Sequence, residues 1–164
     1  MPSYDQRGQK VNNQINISVE NADKNPFQQG INALKSKSYS FAVSCFEKSF
    51  NNDGDENTDA EKHYYLALAL LGGNRPRLHS LSSIHTIEEQ LRLAINNNPN
   101  YSKACVLWAI VKYDYYTMNR ISEKLPSALD LAKQGYLITT DDVTELLSHI
   151  QASDNKIWEW LHSR

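Results

Sequence analysis

The sequence has few of the residues that mark disulfide-linked, metal-binding or membrane-spanning proteins. Cysteine occurs only twice, at Cys45 and Cys105, and both lie within apolar helical patterns. Cysteine in such a pattern usually packs as a small apolar side chain, so we expect no disulfide and infer a reducing compartment. No segment approaches the roughly 18 apolar residues that a membrane span needs, and the N-terminus has no apolar signal segment. These absences predict a cytoplasmic protein without a membrane partner.

Charge of one sign is not in excess either. The 17 Lys and Arg residues are balanced by 19 Asp and Glu residues. A protein that binds nucleic acid usually presents a basic surface that neutralises phosphates. The balance therefore excludes nucleic acid from the expected partners.

Motifs of catalysis and metal binding are also missing. The Gly72-Gly73 pair is not followed by Lys-Ser or Lys-Thr, as a phosphate-binding loop requires, and no Gly-x-Ser-x-Gly elbow occurs. The five histidines form no His-x-x-x-His pair, so no metal site is predicted. The acidic pair Asp141-Asp142 lies at a predicted helix start, where carboxylates stabilise the helix dipole. We therefore expect a protein that is not an enzyme and that uses no cofactor.

From Asn25 onward, apolar residues recur every three to four positions, which indicates helices. Pro26 suits the first turn of the first helix, and Asn98-Pro99 ends the fourth. The predicted helices cover about 26–36, 41–50, 60–71, 84–95, 104–118, 126–135, 143–150 and 157–161. Because amphipathic helices must bury their apolar faces against one another, we predict an all-α fold for residues 26–164.

The first six predicted helices form three pairs, with a spacing near the roughly 34-residue period of the tetratricopeptide unit. The first unit has Gly30 in its first helix and the pattern Tyr39, Ala42, Phe46 and Ser49 in its second. The matching positions in the later units are Leu66-Ala67, Leu70, Leu91, Ala94 and Pro99, then Trp108-Ala109, Ala128 and Ala132. Residues 24–136 thus resemble three tetratricopeptide repeats, at about 24–53, 60–99 and 100–136, although two inter-helix loops are longer than in the family. An unrelated helical bundle is the alternative.

The resemblance implies a short superhelix of antiparallel helix pairs that binds a protein or peptide on a concave face. Matched to the family, the positions lining that face are Phe27, Ile31, Leu34, Tyr64, Leu68, Leu71, Val106, Ile110 and Tyr113. They are mostly apolar and lack the Lys, Arg and Asn residues with which some family members bind a terminal carboxylate. An apolar groove needs a cover, and we expect either a partner's helix or the last helices of this chain. The function implied is that of a non-catalytic scaffold or adaptor.

Two short helices are predicted after the third pair, within residues 140–164. Ile157, Trp158 and Leu161 share one face of the last helix. We interpret this helix as a cap over the open end of the stack, because helical repeats require one. A docking helix for another protein is the alternative.

The leader, residues 1–25, is polar and has no helical period. Its apolar residues at alternate positions are Val11, Ile15, Ile17 and Val19. This pattern is typical of a one-sided strand, and with no second strand in the sequence the segment is either a disordered tail or pairs with another chain. The stretch from Tyr4 to Asn16 is similar to N-terminal segments of bacterial multidomain signalling and defence proteins. A second functional hypothesis is therefore a bacterial module that forms homo-oligomers through this strand.

Overall fold

The computed structural model describes residues 25–52, 57–151 and 154–163. This part of the chain contains eight α-helices and no strand, so the predicted all-α fold is confirmed. The helices are α1 (Pro26–Lys35), α2 (Tyr39–Ser49), α3 (Asp59–Leu70), α4 (Leu81–Asn97), α5 (Ser102–Lys112), α6 (Ala128–Gln134), α7 (Thr140–His149) and α8 (Lys156–His162). A 3-10 turn, Pro76–Leu78, precedes α4, and a π-helical turn, Tyr113–Thr117, follows α5. Each of the eight helices corresponds to one that the apolar period predicts.

Polar side chains begin most of these helices. The Asn25 side chain accepts a hydrogen bond from the Gln28 amide at 3.1 Å, and Pro26 occupies the first turn of α1 as predicted. The same kind of cap is made by Thr58, Ser80, Ser127, Thr139 and Asn155. Local sequence therefore fixes where these helices start.

One predicted helix start needs correction. Pro126 does not open α6, because the Ser127 hydroxyl accepts a hydrogen bond from the amide three residues later at 3.2 Å and makes Ser127 the cap. The last helix, α8, is capped by Asn155, whose side chain accepts from the Ile157 amide at 2.9 Å.

The fifth predicted helix is not a regular α-helix to its end. After Lys112 the chain forms the π-helical turn, in which the Met118 amide donates to the Tyr113 carbonyl five residues back, at 3.3 Å. The turn carries Asp114, whose fully buried carboxylate accepts hydrogen bonds from the Arg75 guanidinium at 2.7 and 3.1 Å. This pair joins the α3–α4 connection to the end of α5.

The first six helices pack as three hairpins, α1–α2, α3–α4 and α5–α6. We call these three hairpins together the stack. In the first hairpin the helices approach closely at Gly30, where an added Cβ would lie 2.5 Å from the Phe46 ring. In the third, an added Cβ at Gly135, just after α6, would lie 2.6 Å from Val106. The backbones come this close because these positions have no side chain.

The first helices of the three hairpins, α1, α3 and α5, also contact one another in order. We call the surface that they form the first-helix face. α8 packs on α5 and α6 with Ile157, Trp158 and Leu161 buried, which agrees with the predicted cap. Asn155 strengthens this packing by donating from its side chain to the Ile110 carbonyl at 3.1 Å.

The predicted leader strand, with Val11, Ile15, Ile17 and Val19, lies outside the described residues. Within the ranges that are described, no helix is both long and apolar enough to cross a membrane.

We expect Gly30→Ala to lower the free energy of unfolding by about 1–3 kcal/mol, measured by chemical denaturation, because the added methyl overpacks the α1–α2 contact. The Phe46 ring has little room to yield, since the rings of Phe27 and Tyr65 lie 5.5 and 5.9 Å from it. Asn32→Ala, at an exposed position of the same helix, is the control and should not destabilise the protein. Equal stability of the two variants would show that the helices are free to separate.

Candidate functional site

The nine residues predicted to line the apolar groove lie on or just after α1, α3 and α5. Seven of them are buried: Phe27, Leu34, Tyr64, Leu68, Leu71, Val106 and Ile110. Ile31 and Tyr113 are half-buried. In this structure these side chains belong mainly to the protein's own core.

The first-helix face is covered by α7. At the edge of this face, the hydroxyl of Tyr39, the first residue of α2, hydrogen-bonds to His149 Nδ1 at 3.1 Å. The Tyr65 hydroxyl on α3 donates to Glu145 at 3.0 Å, and Lys103 on α5 donates to Glu145 at 2.8 Å. Of the two covers considered from the sequence, the structure shows the chain's own helix.

α7 presents a regular amphipathic stripe to this face. Its members are Asp142, Glu145, Leu146, His149 and the following Ile150, which are spaced as first, fourth, fifth, eighth and ninth positions. That spacing places them on one side of a helix. Leu146 and Ile150 are buried, whereas the carboxylates of Asp142 and Glu145 keep about a third of their side-chain surface exposed, 30% and 35%.

Lys103 is the centre of the polar contacts. Its ammonium lies 2.8 Å from the Glu145 carboxylate and 3.4 Å from that of Asp142, and its side chain is only 14% exposed. It also donates to the Tyr65 hydroxyl at 3.1 Å. The ammonium is 5.0 and 4.9 Å from the ring centres of Tyr64 and Tyr65, within the range of cation–π attraction. We call Lys103 with Tyr64, Tyr65 and Tyr101 the Lys103 site.

Burial and hydrogen bonding set the protonation states in the Lys103 site. Burial alone lowers the pKa of Lys103, but its hydrogen bonds to Glu145 and Tyr65 outweigh that effect and hold the pKa above its ordinary value. Burial raises the pKa of Tyr65 to about 12. At neutral pH the site therefore offers a positive ammonium and a neutral hydroxyl, which is the chemistry needed to bind carboxylates.

The Tyr64 hydroxyl has no hydrogen-bond partner, although the side chain is fully buried. Its ring packs edge-on against Tyr101, with ring centres 5.6 Å apart. A cavity of about 250 Å³ also remains between α1 and α7, lined by residues that include Ile31, Leu34 and Ser148. α7 thus covers the face, but one buried hydroxyl stays without a hydrogen-bond partner and a cavity stays unfilled.

Lys112, a buried lysine, lies on the other side of α5. Lys112 donates to the Lys124 carbonyl at 2.7 Å and lies 3.5 Å from the Glu88 carboxylate of α4. Glu88 also accepts from the Trp108 indole at 3.0 Å and from the Tyr116 hydroxyl at 2.7 Å. All these groups belong to the stack and satisfy one another, so we interpret the cluster as structural.

The sequence did not single out Lys103, Tyr65 or Glu145. Lys103 stands in the polar start of a helix, where a solvated lysine is the ordinary expectation. One signal was available, because Asp142 and Glu145 are three residues apart on the apolar side of their helix. In the part of the chain that the structure describes, no group of three or more His, Cys, Asp or Glu side chains is placed to hold a metal ion.

Removing the hydroxyl of Tyr64, which has no partner, and removing that of Tyr65, which bonds to both Lys103 and Glu145, should affect the free energy of unfolding differently. Tyr64→Phe should leave the free energy of unfolding within about 0.5 kcal/mol of the parent or raise it, since a buried donor without an acceptor is removed. Tyr65→Phe should lower it by about 1.5–3 kcal/mol, because hydrogen bonds to charged groups are lost. Denaturant titration of both variants compares them directly, and a larger loss for Tyr64→Phe would contradict this geometry.

His149 predicts a loss of stability on mild acidification. Burial lowers the pKa of His149, with opposing smaller effects from Glu145, which raises it, and Lys37, which lowers it. The unfolded chain then binds the proton more readily, so the contribution is complete above the ordinary pKa of about 6.5 and is lost as the pH falls below it. Between about pH 7.5 and about pH 5.5, the melting temperature of the parent should fall further than that of His149→Asn. Parallel falls would show that the pH dependence arises elsewhere.

No protein-family model matches this chain, and no curated protein matches it. The function is therefore inferred from the geometry of the first-helix face.

Proposed function

We propose that the chain is a non-catalytic protein-interaction module of the tetratricopeptide type that binds a helix of another protein on its first-helix face. The observation that carries the proposal is α7. This ten-residue amphipathic helix already occupies the face, seated by polar contacts to α3 and α5 and by the buried side chains of Leu146 and Ile150. A face that accommodates one helix within the chain has the shape to accommodate another of similar pattern.

The limited packing of α7 favours exchange. α7 is a ten-residue helix outside the three hairpins, and of its own side chains only Leu146 and His149 are buried. The stack beneath has its own extensive packing between consecutive hairpins. Release of α7 is therefore expected to cost much less free energy than unfolding of the stack.

Occupation by α7 makes binding conditional. A partner binds only molecules in which α7 has left the face, so its apparent affinity is reduced by the fraction of molecules that are open. Changes that loosen α7 should consequently strengthen binding, although they add no new contact to the partner. The module acts in this way as an adaptor with a built-in competitor.

A labelled peptide of residues 138–151 tests whether the face binds a helix supplied in trans. We expect the full-length Leu146→Asn chain, in which α7 is loosened, to bind this peptide saturably in fluorescence anisotropy. The affinity of the parent for the peptide should be lower by about tenfold or more, because α7 in the same chain competes at high effective concentration.

The matched control is Leu129→Asn, the same substitution at an exposed position of α6, which should bind no better than the parent. Glu145→Lys provides a second way to loosen α7 at a half-buried position. Circular dichroism establishes that each variant is folded. If neither loosened variant binds the peptide while its helix content is retained, the proposed function is wrong.

A further inference from the structure

The Lys103 site is built by the stack, but its counter-charge is not. Lys103 belongs to α5, and the rings of Tyr64 and Tyr65 that flank its ammonium belong to α3. The two carboxylates paired with the ammonium, Asp142 and Glu145, are both on α7. When α7 leaves the face, it takes both negative charges with it.

A lysine with so little exposure cannot remain without a counter-charge at low cost. Removing the partner of a buried ion leaves an uncompensated charge in a poorly hydrated place, which is strongly unfavourable. The rings of Tyr64 and Tyr65 attract the ammonium but carry no full negative charge. The open face therefore favours an occupant that restores two carboxylates beside Lys103.

α7 is also an incomplete occupant of this face. It leaves the buried Tyr64 hydroxyl without an acceptor and leaves a cavity of about 250 Å³ against α1. The cavity lies where α7 and α1 meet, lined by Ile31 and Leu34 on one side and by Ser148 on the other. A helix that supplies a larger apolar side chain there would bind more favourably than α7 does.

From these observations we propose that the first-helix face recognises an acidic amphipathic helix of a partner protein, which displaces α7. The inference rests on the proposed function and adds the chemistry of the partner. Its pattern has carboxylates at the first and fourth positions and apolar side chains at the fifth and ninth, as in Asp142, Glu145, Leu146 and Ile150. The carboxylates bind Lys103 and Tyr65, and the apolar pair is buried against the stack as Leu146 and Ile150 are.

The first test compares the labelled 138–151 peptide with a peptide carrying Asp142→Asn and Glu145→Gln, which keep shape and remove charge. On the full-length Leu146→Asn chain, the neutral peptide should bind about tenfold more weakly or worse, because buried charge pairs lose much of their energy when one side is removed. On a chain that also carries Lys103→Met, the difference between the two peptides should disappear. This double-mutant cycle assigns the carboxylate preference to Lys103.

The second test uses a designed helix unrelated to α7 except for the four pattern positions. It should bind the loosened chain, whereas the same composition with its carboxylates two residues apart should not, since that spacing puts them on different faces. Binding of the designed helix shows that a foreign partner of this chemistry suffices.

The outcomes separate this inference from the proposed function. If the neutral peptide binds as well as the acidic one, the carboxylate preference is wrong and the face binds helices by apolar contact alone. If no peptide binds, the proposed function itself fails. If the loosened chain instead forms a dimer by light scattering and ignores the peptides, the occupant is α7 of a second copy, and the assignment to a partner is overturned.

Discussion

The poorly solvated positive charge of Lys103 is the constraint on which the C-terminal part of the structure depends. An ammonium with 14% of its side chain exposed is stable only beside a negative group, and Glu145 supplies one at 2.8 Å. Because Glu145 lies on the same stripe as Leu146, the ion pair also orients the apolar side of α7 toward the stack. The ion pair thereby sets the rotation of α7 about its own axis, and burial of its apolar side chains sets how closely it approaches the stack.

α5 uses the same arrangement twice with different consequences. Lys103 is half-buried and Lys112 is buried, and each is close to two aromatic rings and paired with a glutamate. The glutamate of Lys112 is Glu88 on α4, inside the extensive packing of the stack, so that pair persists as long as the stack is folded. The glutamate of Lys103 is on α7, a short helix outside the three hairpins. One pair thus holds the scaffold together, and the other depends on which helix occupies the face.

Local patterns predicted the helices well, and distant contacts were what the sequence could not supply. Gly30 and Phe46 stand at the spacing of a close helix pair, so the first hairpin was predictable from the period. The nine groove positions fall on the first helices of the hairpins, but the period does not say where α7 folds back, so the sequence left two possible covers open. Lys103 and Glu145 are 42 residues apart, and nothing near either residue indicates the other. The site therefore required the tertiary structure.

The π-helical turn after α5 determines how the end of that helix is connected. Each residue rotates an α-helix by about 100°, so one additional residue in a turn redirects every side chain that follows it. The additional residue in this turn directs Asp114 toward Arg75 and Tyr116 toward Glu88, and each pair forms a hydrogen bond. In related chains, a one-residue deletion here should therefore occur together with loss of one of these pairs. The length of this turn and the residues that it brings into contact should therefore change together during evolution.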